Sequence, residues 1–143
     1  MAVFIREATI NDADTIYQFV SALQKKEFDK EAIYKIYNSN ICNQDNLYLL
    51  AIDETQPIGY ISCHSQWLLH HQGKVAEIQE MYVKPEYRSQ GIGKMLMMDV
   101  KERSKALGAV QLEVTTRAIR EGAIKFYQRE EFQDSHKKLV YYF

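Results

Sequence analysis

The chain has 143 residues, 46% of them hydrophobic and 26% charged, with 18 Lys and Arg against 19 Asp and Glu for a net charge of −1. At this size about two thirds of the unfolded surface is buried on folding, which predicts a single domain over residues 1–143 with no need of staples. Near-neutral charge excludes the broad basic field that binds nucleic acid or an acidic membrane, so neither is an expected partner and any anion must be held by a local site.

Cys42 and Cys63 stand apart, with no second cysteine at metal or redox spacing, and read as two reduced thiols. Residues 1–6 turn polar at once, and no later run approaches the ~18 apolar residues of a membrane span. A cytoplasmic location is therefore the expectation.

In chain order, Val3 to Glu7 reads as a strand, and Asn11 and Asp12 as the cap of a helix carrying Ile16, Phe19, Val20 and Leu23 on one face. A second helix is predicted over 29–41, with Asp29 as cap. Residues 47–52 and 58–69 read as two antiparallel strands joined by a hairpin turn over 53–57, and 75–83 as the central strand, stopped by Pro85. A helix over 94–107, a short strand over 110–114 and a helix over 120–129 follow, and the segment from Phe132 through 139–143 reads as one or two closing strands. Hairpins combined with crossover helices predict an α/β or α+β fold with a mixed sheet.

Between the central strand and the next helix lies Arg88-Ser89-Gln90-Gly91-Ile92-Gly93. Glycines at a strand-to-helix turn let the backbone approach a ligand, and the free N–H groups at a helix start attract negative charge. The segment from Gln90 to Lys94 is thus a candidate pyrophosphate cradle, with the charges of Arg88 and Lys94 nearby. A dinucleotide fingerprint fails because position 96 is Leu, and a P-loop fails because Gly93-Lys94 is followed by Met95.

Arg88 to Gly93, the preceding Glu80-Met81-Tyr82-Val83, Pro85, and the later Ala123-Ile124-Lys125-Phe126-Tyr127 with Phe132 together resemble the GNAT superfamily of N-acetyltransferases. The resemblance covers essentially the whole chain and implies the GNAT fold, a mixed central sheet with helices on both faces. It further implies acetyl-CoA as co-substrate and a small-molecule amine as acceptor. Lys26-Glu27-Phe28-Asp29, His64-Ser65-Gln66-Trp67, Ala76-Glu77-Ile78-Gln79-Glu80 and Gln133-Asp134-Ser135-His136 are similar to the aminoalkylphosphonate N-acetyltransferases. Two positions depart from the superfamily pattern: Arg120 stands where Asn is usual, and Glu131 stands where Gly is usual.

From that resemblance the pantetheine arm is expected along the central strand, on the backbone of Met81, Tyr82 and Val83, with Ser89 and Ile92 completing the cradle. Tyr127 matches the tyrosine that protonates the departing thiolate. Transfer also needs a proton acceptor, because an alkylamine is mostly protonated near neutral pH. The resemblance favours Glu77, with Glu80 in reserve. Regular alternation puts Val75, Glu77, Gln79, Met81 and Val83 on one face and Ala76, Ile78, Glu80 and Tyr82 on the other, so both glutamates face the acceptor only if a bulge intervenes.

His64, His70, His71 and His136 lack metal-ligand spacing, and no metal is expected. Thr115, Thr116 and Arg117 offer donors to an anionic group, a weak signal beside the ordinary turn-ending role of such residues. Other acceptors within the superfamily are a polyamine, amino acid, antibiotic or protein amine. A non-catalytic acetyl-CoA sensor is the reading from another class, and a homodimer is an open expectation.

Overall fold

The computed structural model describes residues 2–117 and 121–143. In chain order it comprises β1 (Val3–Glu7), α1 (Ala13–Gln24), α2 (Lys30–Asn40), β2 (Leu47–Asp53), β3 (Gln56–Leu68), β4 (Gly73–Val83), α3 (Ile92–Ala106), β5 (Ala109–Val114) and α4 (Glu121–Arg129). The strands form one sheet in the order β1-β2-β3-β4-β5, antiparallel except for β5, which runs parallel to β4 through the α3 crossover. It is an α/β fold with a mixed sheet.

Local chemistry sets the element ends. The helical entry is capped by Thr9, whose side chain accepts from the Asn11 amide, while Asp12 accepts from the Thr9 amide at 2.7 Å and pairs with Arg6 at 2.8 Å. Thr9 thus caps the 3-10 turn over Ile10–Asp12, and Asp12, one of the two expected caps, stands at the N-cap position of α1 without a side-chain bond to that helix. Asp29 caps α2 as expected, accepting from the Ala32 amide at 3.2 Å.

Residues 47–52 are buried on both faces of the sheet, which explains their unbroken apolar run. Leu47, Leu49 and Ala51 join Ile61, Cys63, Ala76 and Ile78 beneath α3, packed on Ile92, Leu96, Met97 and Val100. Tyr48, Leu50 and Ile52 join Tyr60 on the opposite face, against Ile16 and Phe19 of α1 and Tyr37 of α2.

One irregularity shapes the rest. Across β3 and β4, Ser62 pairs with Glu80 and Cys63 with Ile78, leaving Gln79 as an extra residue. This bulge overturns regular alternation along β4. Opposite partners share a face, so Glu77 (across from His64), Glu80 and Tyr82 (across from Tyr60) all lie on the α1/α2 side. Met81, across from Ile61, and Val83 pack on the α3 side with Ile78.

The β4–β5 ladder ends at the pair Ile78 and Val114, at the same bulge. Beyond it, 79–83 stay bonded to β3 while their other edge opens. At the far end, Lys74 is buried and ties the sheet together, its Nζ bonding Asp45 Oδ1 at 2.7 Å and the Leu107 carbonyl at 2.9 Å.

The expected closing strands are not formed: residues 133–143 pass through no helix or strand. A strand-like composition becomes a strand only when a neighbouring edge accepts it. The turn before that segment is made by Glu131 at φ 73, as its place in the superfamily's glycine position implied.

Candidate active site

Pro85 ends β4, and the turn over Pro85–Tyr87 delivers the chain to the cradle. Arg88 donates from Nε to the Val83 carbonyl at 3.0 Å and lies 5.8 Å from the centre of the Tyr82 ring, pinning the loop to the strand. Ser89 and Gly91 both take left-handed backbone, at φ 62 and 84.

Gly91 is the N-cap of α3, and no side chain caps this helix start. Its first N–H groups therefore have no intrahelical partner, and a Cβ at Gly91 would meet nothing within 4 Å. This is open space faced by amide donors, which fits a pyrophosphate. Gly93 serves a different need: a Cβ there would come within 2.8 Å of Met81 Cε, so its absence lets α3 sit close on β4.

Where β4 parts from β5 a cleft of about 240 Å³ opens, lined by Gln79, Glu80 and Met81 on one wall and Val114, Thr115, Thr116 and Arg117 on the other. Leu23 and Gln24 of α1 and Ala123 and Tyr127 of α4 complete it. The structure thus brings Glu80 and Tyr127 into one cavity. Glu77 lines an adjoining cleft of about 270 Å³ with His64, Gln66, Leu68, Val75 and Glu113, and Gln79 borders both.

The two carboxylates are held differently. Glu80 Oε1 accepts from the Tyr60 hydroxyl at 3.0 Å and from Ser62 Oγ, while its amide donates back to Ser62 Oγ at 3.1 Å. Burial, reinforced by the charge of Glu80, pushes the Tyr60 hydroxyl well above its ordinary value, which keeps it protonated as a donor. Glu77 Oε2 accepts from Thr115 Oγ1 at 3.1 Å across the β4–β5 boundary, and Oε1 accepts from Gln79 Nε2 at 3.4 Å.

Behind them the Tyr48 hydroxyl lies 2.6 Å from His64 Nε2. Burial pushes Tyr48 up to about 12 and holds His64 below the usual imidazole range, against the opposing pull of Glu80 and Glu77. At neutral pH the pair is a protonated tyrosine hydrogen-bonded to a neutral imidazole, whose tautomer sets which of the two donates.

Tyr127 is flanked edge-on by Phe126 and Phe132, with ring centres 5.4 and 5.7 Å away. The Phe132 amide donates to the Tyr127 carbonyl at 3.0 Å, so the Glu131 turn helps seat the ring. Arg120 lies outside the described residues. Among those described, no group of three or more His, Cys, Asp or Glu is placed to hold a metal ion, and no helix is long and apolar enough to cross a membrane.

Sequence patterning located the glycine turn that opens α3 and singled out His64, but passed over Tyr48, Tyr60 and Ser62 beside it. Alternate positions on a strand with polar tips were their only trace. Thr115, Thr116 and Arg117 carried a weak signal that the cleft now makes concrete.

The comparisons identify the class that this cradle and cleft define. Residues 11–132 match the model of the acetyltransferase (GNAT) family, and the chain belongs to that family. It is an acetyl-transferring enzyme, and enzymes of the family use acetyl-CoA as donor.

Among curated relatives, the aminoalkylphosphonate N-acetyltransferase of Salmonella typhimurium is 36% identical over 92% of this chain and 86% of its own length. The spermidine N(1)-acetyltransferase of Thermoplasma acidophilum is 22% identical over 93% of this chain and 89% of its own. Among solved structures, a transcriptional regulator from Bacillus halodurans superposes with a TM-score of 0.89 at 23% identity, covering 99% of this chain and all of its own, a likeness of fold.

Proposed function

We propose that this enzyme transfers the acetyl group of acetyl-CoA to the primary amine of a small molecule, and that the acceptor is an aminoalkylphosphonate. The observation carrying the reading is the cleft at the parting of β4 and β5, between the Tyr127 wall and the open edge of 79–83, with the Glu77 cleft adjoining it at Gln79.

In this reading the N–H groups from Gln90 to Lys94, with the charges of Arg88 and Lys94, bind the pyrophosphate of coenzyme A. The open backbone of Met81, Tyr82 and Val83 holds the pantetheine arm as an added strand would be held. Glu77 accepts the ammonium proton, directly or through one water, which frees the lone pair to attack the thioester carbonyl. As the carbon–sulfur bond breaks, the Tyr127 hydroxyl gives its proton to the departing thiolate, and the second proton shed by the attacking nitrogen as the amide forms returns Tyr127 to its neutral state through solvent. The amide and free coenzyme A leave with no covalent enzyme intermediate.

Glu80 is already committed to Tyr60 and Ser62 and fixes the floor beside the reacting amine. Its presence in the same cavity as Tyr127 supports a second assignment, with Glu80 as base. For the acceptor, Arg117 with Thr115 and Thr116 faces Glu80 across the cleft, so the site offers a cation and hydroxyls to a phosphonate and a carboxylate to an ammonium. The long identity to the Salmonella typhimurium relative supports the same acceptor. Arg117 disfavours a polyamine, which carries only positive charge.

Turnover of acetyl-CoA is to be followed with aminomethyl- and aminoethylphosphonate, spermidine, amino acids and a lysine peptide. The phosphonates are expected to give the highest kcat/KM. Inert phosphonates beside an active second amine would overturn the acceptor, and no turnover with any amine would favour a sensor.

A further inference from the structure

The carboxylate read as proton acceptor and the cleft read as the amine site do not coincide. Glu77 lines the cleft of about 270 Å³ with His64 and Glu113, whereas Thr115, Arg117 and Tyr127 line the one of about 240 Å³. One hydroxyl joins the two. Thr115 belongs to the wall of the Tyr127 cleft, and its Oγ1 donates to Glu77 Oε2 in the adjoining cleft at 3.1 Å. Gln79 Nε2 meets the other oxygen of Glu77, Oε1, at 3.4 Å, which leaves Oε2 to Thr115.

The direction of that bond decides what Thr115 can still bind. An ionised carboxylate only accepts, so the single hydroxyl proton is held by Glu77 and the threonine oxygen is left with acceptor positions alone. A protonated amine has only N–H donors and is the matching partner. A phosphonate needs donors instead, and on this wall it is met by Thr116 and Arg117.

We infer that Thr115 is a catalytic residue, its hydroxyl carrying the ammonium proton from the Tyr127 cleft to Glu77 in the adjoining one. The inference rests on the reading of Glu77 as proton acceptor and supplies its path. The ammonium N–H donates to Thr115 Oγ1; as that N–H bond breaks and a new O–H bond forms, the original Thr115 O–H bond breaks and its proton passes to Glu77 Oε2. The electron pair of the N–H bond stays on nitrogen and becomes the attacking lone pair. Thr115 ends as it began, and Glu77, now neutral, returns its proton to water in its own cleft. The 3.1 Å separation lies within the reach that proton transfer requires, about 2.6–3.2 Å between heavy atoms.

A graded series at position 115 tests the path, with acetyl-CoA and whichever amine turns over best. Thr115→Val fills the same volume without a hydroxyl and is expected to lower kcat about 10²-fold near neutral pH, with recovery at high pH where the amine arrives deprotonated. Thr115→Ala opens room for a water to stand in and is expected to keep about tenfold more rate than Thr115→Val. Thr115→Ser, which retains the hydroxyl, is expected to restore most of the parent rate. Added to Glu77→Gln, Thr115→Val is expected to cost nothing further, since both interrupt one path. The other titratable groups around the path, His64 on β3, Glu80 on β4, Glu113 on β5, Arg117 after it and Tyr127 on α4, are the same throughout the series. Thr115 is exposed, so far-UV circular dichroism should be unchanged.

Thr115→Val at the parent rate, beside a recoverable loss in Glu77→Gln, would overturn the relay alone and leave Glu77 served by water. A rate for Thr115→Val above that of Thr115→Ala, as a packing role for the methyl group requires, or losses that multiply in the double variant, would overturn it equally. Glu77→Gln at the parent rate would overturn the proton acceptor and the relay with it.

Discussion

The two halves of β4 share one strand but not one environment. Residues 74–78 are bonded on both sides, to β3 and to β5, and their side chains are mostly buried; residues 79–83 keep only the β3 ladder and are half-exposed or exposed. The first half is architecture and the second is a working surface, since backbone groups released from a ladder must find another partner. A single inserted residue, Gln79, marks the change. It opens one edge while keeping Glu80 on the face that already carries Glu77, as the pairs Ser62 with Glu80 and His64 with Glu77 show.

Removing the bulge is the strongest way to break that contrast. Deleting Gln79 leaves Glu77, Glu80 and Tyr82 on the α1/α2 face, because 80 then follows 78 in regular alternation, but it lets the β4–β5 ladder continue. Stability is expected to hold while kcat/KM falls about 10²-fold or more. Full activity after deletion would show that the bulge is incidental.

Within the open half, Tyr127→Phe is expected to lower kcat about 10²-fold with little change in KM, as loss of a proton donor to the thiolate requires. Steady-state kinetics with a phosphonate acceptor checks this. Equal loss with a thioester of a more acidic thiol, which leaves without a proton, would contradict it.

The closed half makes a stability prediction instead. Cys63, opposite Ile78 at the last regular pair, has its thiol pushed up to about 11 by burial. Above pH 9 the unfolded thiol gives up its proton first, so the folded state binds more protons and loses stability as pH rises from about 9 to 11. About 2–3 kcal/mol rides on this one group. Thermal midpoints of Cys63→Ala should decline less over that window than those of the parent; parallel declines would remove Cys63 as the cause.

The smallest effect falls beside the site. Glu131 holds left-handed backbone at φ 73, which costs a non-glycine residue about 1–2 kcal/mol. Glycine offsets part of the gain through chain entropy, so Glu131→Gly should stabilise by about 0.5–1 kcal/mol in urea unfolding. Destabilisation would mean that the Glu131 side chain contributes contacts outweighing the strain.

These contrasts also explain what was legible beforehand. The glycine turn that opens α3 could be read because its signals are local, a proline stop, two glycines and a helix start within ten residues of sequence. The run at 47–52 announced a strand for the same reason. Gln79 could not be read as a bulge, since nothing in its side chain distinguishes an extra residue from a paired one; only the register against Ser62 and Cys63 does. The Tyr60 and Ser62 hold on Glu80 depends on that register and was equally hidden. Residues 139–143 look like a strand because strand propensity resides in side chains, whereas forming one depends on an edge that sequence does not specify.

The most direct test of the central account compares pH–rate profiles of Glu77→Gln and Glu80→Gln, with acetyl-CoA and a phosphonate acceptor. The account predicts that Glu77→Gln loses about 10²–10⁴-fold in rate near neutrality and recovers at high pH, where solution already deprotonates the amine. It predicts a pH-independent loss for Glu80→Gln, as for a residue that shapes the cleft. A profile in which Glu77→Gln matches the parent at neutral pH, with the recoverable loss in Glu80→Gln, would contradict it and move the proton acceptor to Glu80.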